Sequence, residues 1–219
     1  MPLFINIETS TELCSVSLSR DNTLIDCMET NDGYFHAERL HLFIQNILQK
    51  NQIDIKQISA VSVSSGPGSY TGLRIGVSAA KTFAYALNIP LIAISSLKTQ
   101  IDYFLSFSEK GIYTFYCSTM KARGQKIYYA LYDDIGNEII HPQSFIVSEQ
   151  SVKELSAKYN SVCFIGSGCE KILPFQKYFQ KIEFAYNIFP SAKGMIYNAF
   201  EQHQKSSYVS TAYFEPMYI

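Results

Sequence analysis

The chain has 219 residues, of which 47% are apolar, and its 18 Lys and Arg residues nearly balance its 19 Asp and Glu residues. The net charge of −1 excludes an overall cationic field that would draw the chain onto nucleic acid or membrane. An odd count of five cysteines without a CxxC pair disfavours a secreted disulfide framework, and no leader or membrane-length apolar stretch is visible, so we expect a cytoplasmic protein.

The first half of the chain alternates between strand and helix patterns. Short β-branched segments bounded by turn residues predict strands, and apolar residues at helical spacing predict helices. In chain order the predicted elements are three strands (Leu3–Glu8, Leu13–Ser19 and Thr23–Thr30), a helix (His36–Lys50), a strand (Ser59–Ser64), a helix (Thr71–Leu87) and a strand (Leu91–Ile94).

The second half repeats this order. Its predicted elements are strands at Ile112–Thr119, Lys126–Tyr132 and Glu138–Val147, a helix at Glu149–Tyr159, a strand at Val162–Ile165 and a last helix at Ala192–Gln204. Duplicated βββαβα units predict a two-lobed α/β fold of the actin-like (ASKHA) class, which includes sugar kinases and Hsp70-type ATPases. We expect lobes at 1–103 and 104–219, with the last helix or the tail packing on either lobe.

The most informative segment is Ser64–Val77, with the sequence SSGPGSYTGLRIGV. Gly66 and Gly68 permit a tight turn, and Ser69 or Thr71 can cap the helix that follows. A helix N-terminus can hold an anion, so phosphate binding and a purely structural loop both remain open. The pattern is neither GxGxxG nor GxxxxGK[ST], so it matches no nucleotide fingerprint.

The helix that follows is apolar around almost its whole circumference, which predicts burial on more than one side. Gly72, Gly76 and Ala80 form a smooth stripe that would let another helix approach, with His36–Lys50 as the first neighbour. Either this is an ordinary core helix, or the pair offers a surface to a partner protein. The predicted interface residues are His36, Leu40, Phe43, Ile44, Ile47, Gly72, Leu73, Gly76, Val77, Ala80 and Phe83.

Several segments resemble the TsaB (YeaZ) family. The specific ones are Phe4–Ser10, His36–Leu40, Ser64–Val77 and Ile92–Leu97, and weaker ones are Lys121–Arg123, Tyr128–Tyr132 and Pro216–Tyr218. The resemblance implies a non-catalytic subunit that binds a catalytic TsaD-type subunit through first-lobe helices, for threonylcarbamoyl transfer to tRNA. It also implies that a TsaE-type ATPase joins the assembly. The family usually has Asp where Lys121 stands.

The alternative is an independent ATP-binding enzyme of the actin-like class. Residues for a vestigial nucleotide site would be Glu8, Thr9, Ser10, Gly166 and Gly168, although the same residues suit a hairpin turn and a helix cap. We expect no cofactor and no metal. His36 and His41 lie five residues apart on a helix, about 140° around its axis, so they cannot converge on one ion.

One cluster mixes cations with aromatic residues. It contains Lys121, Arg123, Lys126, Tyr128 and Tyr129. A solvated hairpin explains this cluster, and a weak or indirect contact with tRNA is the alternative. If the partner is absent, the apolar helix surface could instead pair with itself in a homodimer.

Overall fold

A computed structural model of the chain describes residues 1–33, 36–109 and 111–218. The strands of the described residues are β1 (Leu3–Glu8), β2 (Cys14–Arg20), β3 (Thr23–Thr30), β4 (Ala60–Ser64), β5 (Leu91–Ile94), β6 (Phe115–Lys121), β7 (Lys126–Asp133), β8 (Glu138–Ile146), β9 (Ser161–Ile165) and β10 (Lys181–Ala185). The α-helices are α1 (His36–Lys50), α2 (Tyr70–Leu87), α3 (Ser96–Leu105), α4 (Glu149–Lys158), α5 (Cys169–Ile172) and α6 (Ile196–Gln204).

The strands form two five-stranded sheets with the same topology. The first has the order β3-β2-β1-β4-β5, and the second has the corresponding order β8-β7-β6-β9-β10. In each sheet the first three strands are antiparallel, and the last two run parallel to the first. The predicted duplication of a βββαβα unit is therefore confirmed.

The chain divides into two compact units. One contains Met1–Thr99 together with Pro190–Tyr218, and the other contains Gln100–Phe189. The division falls within α3, four residues before the boundary predicted at residue 103. The last helix, α6, and the tail as far as Tyr218 belong to the first unit. Ile219 lies outside the described residues.

The two faces of the first sheet have different chemistry because side chains alternate along each strand. On one face Leu3, Ile5 and Ile7 join the apolar core formed with α1 and α2. On the other face Phe4 packs with residues of β4 and β5 and with Met195, which leads into α6. Both faces of this sheet are therefore covered by the first unit itself.

The second face also carries a buried polar cluster. The Asn6 side-chain amide donates hydrogen bonds to the hydroxyls of Ser17 (3.0 Å) and Ser19 (3.2 Å), and it accepts one from Ser62 (2.6 Å). Ser17 donates in turn to the Ala192 carbonyl at 2.9 Å. Because buried hydroxyls need partners, these bonds fix the segment before α6 on the first sheet.

The second unit is built around its own core. Apolar side chains of β6, β7 and β9 pack there with those of α4 and α5, including Leu131, Val152 and Phe164. Its cysteines are buried, and burial raises the pKa of the Cys163 and Cys169 thiols to about 12. These thiols are therefore core side chains rather than reactive groups.

The sequence did not give a range for three of these elements: α3, β10 and the four-residue helix α5. Helix α3 presents a narrow buried apolar face of one residue per turn, formed by Leu97, Ile101 and Leu105, which is a weak helical signal in the sequence. Strand β10 contains Lys181 and Glu183 and has no fully buried residue, so it lacks the apolar run that predicts its neighbour β9. No helix within the described ranges is long and apolar enough to cross a membrane.

Candidate functional site

The turn between β1 and β2 is held between the first turns of α1 and α2. The Ser69 N–H donates to the Ser10 carbonyl at 2.6 Å, and the Thr9 hydroxyl donates to the Gly72 carbonyl at 2.8 Å. From α1, His36 Nε2 donates to the Thr11 carbonyl at 2.7 Å. These three bonds connect both helices to the end of the central strand.

The glycines of the Ser64–Val77 segment make this close approach possible. A Cβ atom at Gly72 or Gly76 would lie less than 3.0 Å from the Thr9 carbonyl or hydroxyl oxygen, and one at Gly68 would lie 2.6 Å from the Cβ of Ser10. The sequence predicted that another helix approaches along this stripe. At Gly72 and Gly76 the β1–β2 turn lies against this stripe, and from α1 the His36 ring would lie 3.3 Å from a Cβ atom at Gly72.

The inner faces of α1 and α2 are used by the core of the first unit. The predicted interface residues that are buried there are His36, Leu40, Phe43, Ile44, Ile47, Gly72, Leu73, Gly76, Val77 and Ala80. Phe83 is half-buried against the same core. A partner that docks on this helix pair would therefore meet the outward residues between these positions, and that a partner docks here stays a prediction.

The outward residues of α1 and α2 form an open groove of about 550 Å³. Its lining is Ala37, His41, Tyr70, Thr71, Arg74, Ile75, Ser78, Ala79 and Thr82. A second groove of about 610 Å³ adjoins it at His41 and continues along the C-terminal half of α1 to Ile55. The sequence analysis missed most of these residues, although a wheel of α2 already places the small residues Ser78 and Thr82 opposite its core face.

At the end of β1, Glu8 is completely buried. Burial raises the pKa of Glu8 to about 7, although hydrogen bonds from Ser10 and Ser64 act in the opposite direction. The Ser10 N–H donates to Glu8 Oε1 at 2.7 Å, which closes the turn on itself. Near neutral pH this carboxyl group is therefore protonated in a large fraction of the folded molecules.

The glycine corner of the second unit is equally tight. Gly166 has a φ of +97°, and a Cβ atom there would lie less than 3.0 Å from the Thr119 carbonyl. Gly168 lies against the Thr119 side chain and precedes α5, so both glycines have a structural role. A contact with an adenosine at this corner stays an untested prediction.

Two further predictions concern ions. His36 is buried and His41 is exposed, and among the described residues no three His, Cys, Asp or Glu side chains are grouped so that they could hold a metal ion.

In the hairpin of β6 and β7, which carries the cluster of cations, Lys121 pairs with Glu170 at 2.6 Å. Lys171 donates to three backbone carbonyls of the same hairpin, each at 2.7 Å, so this side chain stabilises the turn.

Known proteins resemble this chain in sequence. Residues 33–199 match the family described as TsaD, tRNA N6-adenosine threonylcarbamoyltransferase. A Bacillus subtilis protein named tRNA threonylcarbamoyladenosine biosynthesis protein TsaB is 29% identical over 163 residues, which are 73% of this chain and 69% of that protein. Its Escherichia coli counterpart is 33% identical over 135 residues, 62% of this chain and 57% of that protein.

The fold of this chain resembles those of solved protein structures. YeaZ from Pseudomonas aeruginosa covers 100% of both chains with a TM-score of 0.83 at 19% identity. A polyphosphate/ATP-glucomannokinase from Arthrobacter has a TM-score of 0.53 at 9% identity, over 94% of this chain and all of that one. At such identities the likeness shows the fold alone, and it confirms the predicted actin-like, sugar-kinase type of α/β fold.

The contact between Gly76 and Thr9 generates the first testable prediction. Gly76→Ala should lower the free energy of unfolding by about 2 kcal/mol, because the added methyl group overlaps the Thr9 hydroxyl. In a Thr9→Ala background the same substitution should cost markedly less, because the overlapping oxygen is gone. Urea unfolding of the four proteins of this cycle measures the difference, and equal costs in both backgrounds would refute the contact.

The buried side chain of Glu8 generates the second testable prediction. Between its ordinary pKa of 4.5 and the folded value of about 7, unfolding releases a proton, so stability should fall as the pH rises through this range and level off above it. Glu8→Gln should remove up to about 3 kcal/mol of this pH dependence. Urea unfolding midpoints from pH 4 to 8 measure it, with the exposed Glu38→Gln as the control variant. An unchanged slope in Glu8→Gln would contradict the assignment.

Proposed function

This chain belongs to the family described as TsaD, tRNA N6-adenosine threonylcarbamoyltransferase, and within it to the TsaB (YeaZ) proteins, and from this membership we propose that it acts in threonylcarbamoyladenosine biosynthesis. Its role there is that of a non-catalytic subunit that binds and orders a TsaD-type catalytic subunit. The observation that supports this partner-binding role is the open groove on the outward face of α1 and α2.

The groove suits a protein partner because of its composition. Its nine described lining residues include Ala37, Ile75, Ala79 and other small or apolar side chains, with Arg74 as the one permanent charge. Leu42 adds an exposed apolar side chain elsewhere on α1, where it is 48% exposed. A groove between two helices with small residues along its floor accepts a further helix at close range.

The end of β1 supports an accessory role over an independent ATP-binding enzyme. A magnesium–nucleotide site there would need an ionised carboxylate that faces a ligand. Glu8 is completely buried, it hydrogen-bonds its own turn, and its pKa of about 7 keeps much of it neutral. The neighbouring Thr9 hydroxyl is bound to the Gly72 carbonyl, so it serves helix packing.

The same groove can serve two assemblies. With the catalytic partner absent, two copies of the chain would pair through the same surface about a two-fold axis. With the partner present, the mixed complex replaces the homodimer, and an ATPase of the TsaE type joins it. Contact with tRNA is then indirect, or weak and local to the hairpin of Lys121 and Arg123.

The test is binding to the TsaD-type protein of the same organism. Light scattering should show a self-associated species of this chain that gives way to a stable mixed complex. Ser78→Arg places a large charged side chain in the middle of the groove, so it should raise the Kd of the mixed complex at least tenfold, which corresponds to about 1.4 kcal/mol.

The matched control is Ala157→Arg, an exposed position on α4 of the second unit, which should leave the Kd within twofold of the unmodified chain. Circular dichroism should show that both variants are folded. No mixed complex with the unmodified chain would overturn the proposed function. A mixed complex that tolerates Ser78→Arg would exclude this groove as its surface.

A further inference from the structure

The segment after α6 runs back along the outside of α2. Val209 pairs with Leu91 next to β5, where its N–H donates to the Leu91 carbonyl at 3.0 Å. Lys81 of α2 then donates to the carbonyls of Ala212 (3.1 Å) and Phe214 (3.2 Å). The Phe214 ring packs against the core of the first unit. The tail therefore covers a second side of α2.

The end of the tail is built into the loop between β4 and α2. The Met217 N–H donates to the Ser65 carbonyl at 2.7 Å. Gly66 has a φ of +100°, and a Cβ atom there would lie 2.6 Å from the Met217 carbonyl oxygen. The loop thus needs glycine at this position both for its backbone conformation and for the approach of the tail.

The last described residue of the tail forms a cluster with the first turns of α2. The rings of Tyr218 and Tyr70 lie 5.0 Å apart, and the Arg74 guanidinium lies 4.4 Å from the centre of the Tyr70 ring. The side chain of Tyr218 is also the largest cause of the raised pKa of the Arg74 guanidinium. Tyr70 and Tyr218 remain 54% and 49% exposed, so the cluster is ordered and still accessible.

This cluster is continuous with the groove on α1 and α2, because Tyr70 and Arg74 are also lining residues of that groove. Tyrosine and arginine side chains dominate the binding energy of many protein interfaces, and side chains that are already ordered lose less entropy on binding. The described lining of the groove contains no acidic side chain to balance Arg74. After Tyr218 and Tyr70, Glu215 of the tail is a smaller cause of the raised pKa of Arg74.

We propose that Tyr70, Arg74 and Tyr218 form one rim of the partner-binding surface, and that Arg74 receives a carboxylate from a helix of the catalytic partner. The proposal rests on the proposed function and extends it to the C-terminal tail. In this proposal the tail has two roles. The tail covers α2, and its residue Tyr218 positions Tyr70 and Arg74. The occupant is an apolar helix with an acidic residue at the edge that faces Arg74.

The experiment measures the Kd for the TsaD-type protein of the same organism with full-length variants at two salt concentrations. Tyr218→Ala and Arg74→Ala should each raise the Kd at least tenfold, and Arg74→Ala should also reduce its salt dependence, because the charge pair is lost. Glu215→Gln should lower the Kd about twofold, since it removes a competing charge. The matched control is Tyr213→Ala, because this tyrosine of the same tail is 88% exposed.

The outcomes separate this proposal from the one on which it rests. If Ser78→Arg weakens the complex while Tyr218→Ala and Arg74→Ala leave the Kd and its salt dependence unchanged, the tail only covers α2 and the further proposal is wrong. If the unmodified chain does not bind the partner, the proposed function fails first. Tyr218→Phe keeps the ring that contacts Tyr70, so its affinity should stay within about twofold of that of the unmodified chain. An affinity as low as that of Tyr218→Ala would overturn the positioning role of this ring.

Discussion

The turn between β1 and β2 lies so close to α2 that no side chain fits between them. Ser69 and Thr9 make the hydrogen bonds of this contact, and Gly72 and Gly76 leave the space for it. Because His36 binds the same turn from α1, one short segment sets the positions of both helices on the sheet. The core, the outward groove and the surface on which the C-terminal tail packs all depend on these helix positions.

The contact also explains why the end of β1 favours packing over chemistry. In open α/β sheets, ligands bind beyond the carboxyl ends of the parallel strands. In the first unit the Thr9 hydroxyl and the Ser10 carbonyl are bound at the start of α2, and Glu8 is completely buried. Two of the polar groups at this strand end are thus used for packing, which fits the proposed role of a subunit that acts through its surface.

Because the two units have the same topology, their corresponding helices can be compared directly. Both have the same strand order, and the corresponding corner glycines, Gly66 and Gly166, have φ angles of +100° and +97°. The helix after the corner, however, has 18 residues in the first unit and four in the second. Only a long helix has outward turns beyond those that cover its sheet, so the first unit carries the surface that we assign to the partner.

The sequence by itself determined most of the elements, their repeated order and the family, because periodicity and the Ser64–Val77 segment are local signals. It marked α1 and α2 as the candidate interface. Of the residues it named there, Leu40 and Leu73 are buried in the first unit, since apolar spacing marks a buried face without telling what buries it. Only the tertiary structure decided that the glycine stripe meets Thr9 and that the tail reaches Gly66. These contacts join residues more than 60 positions apart, and no periodic pattern encodes the partner of such a contact.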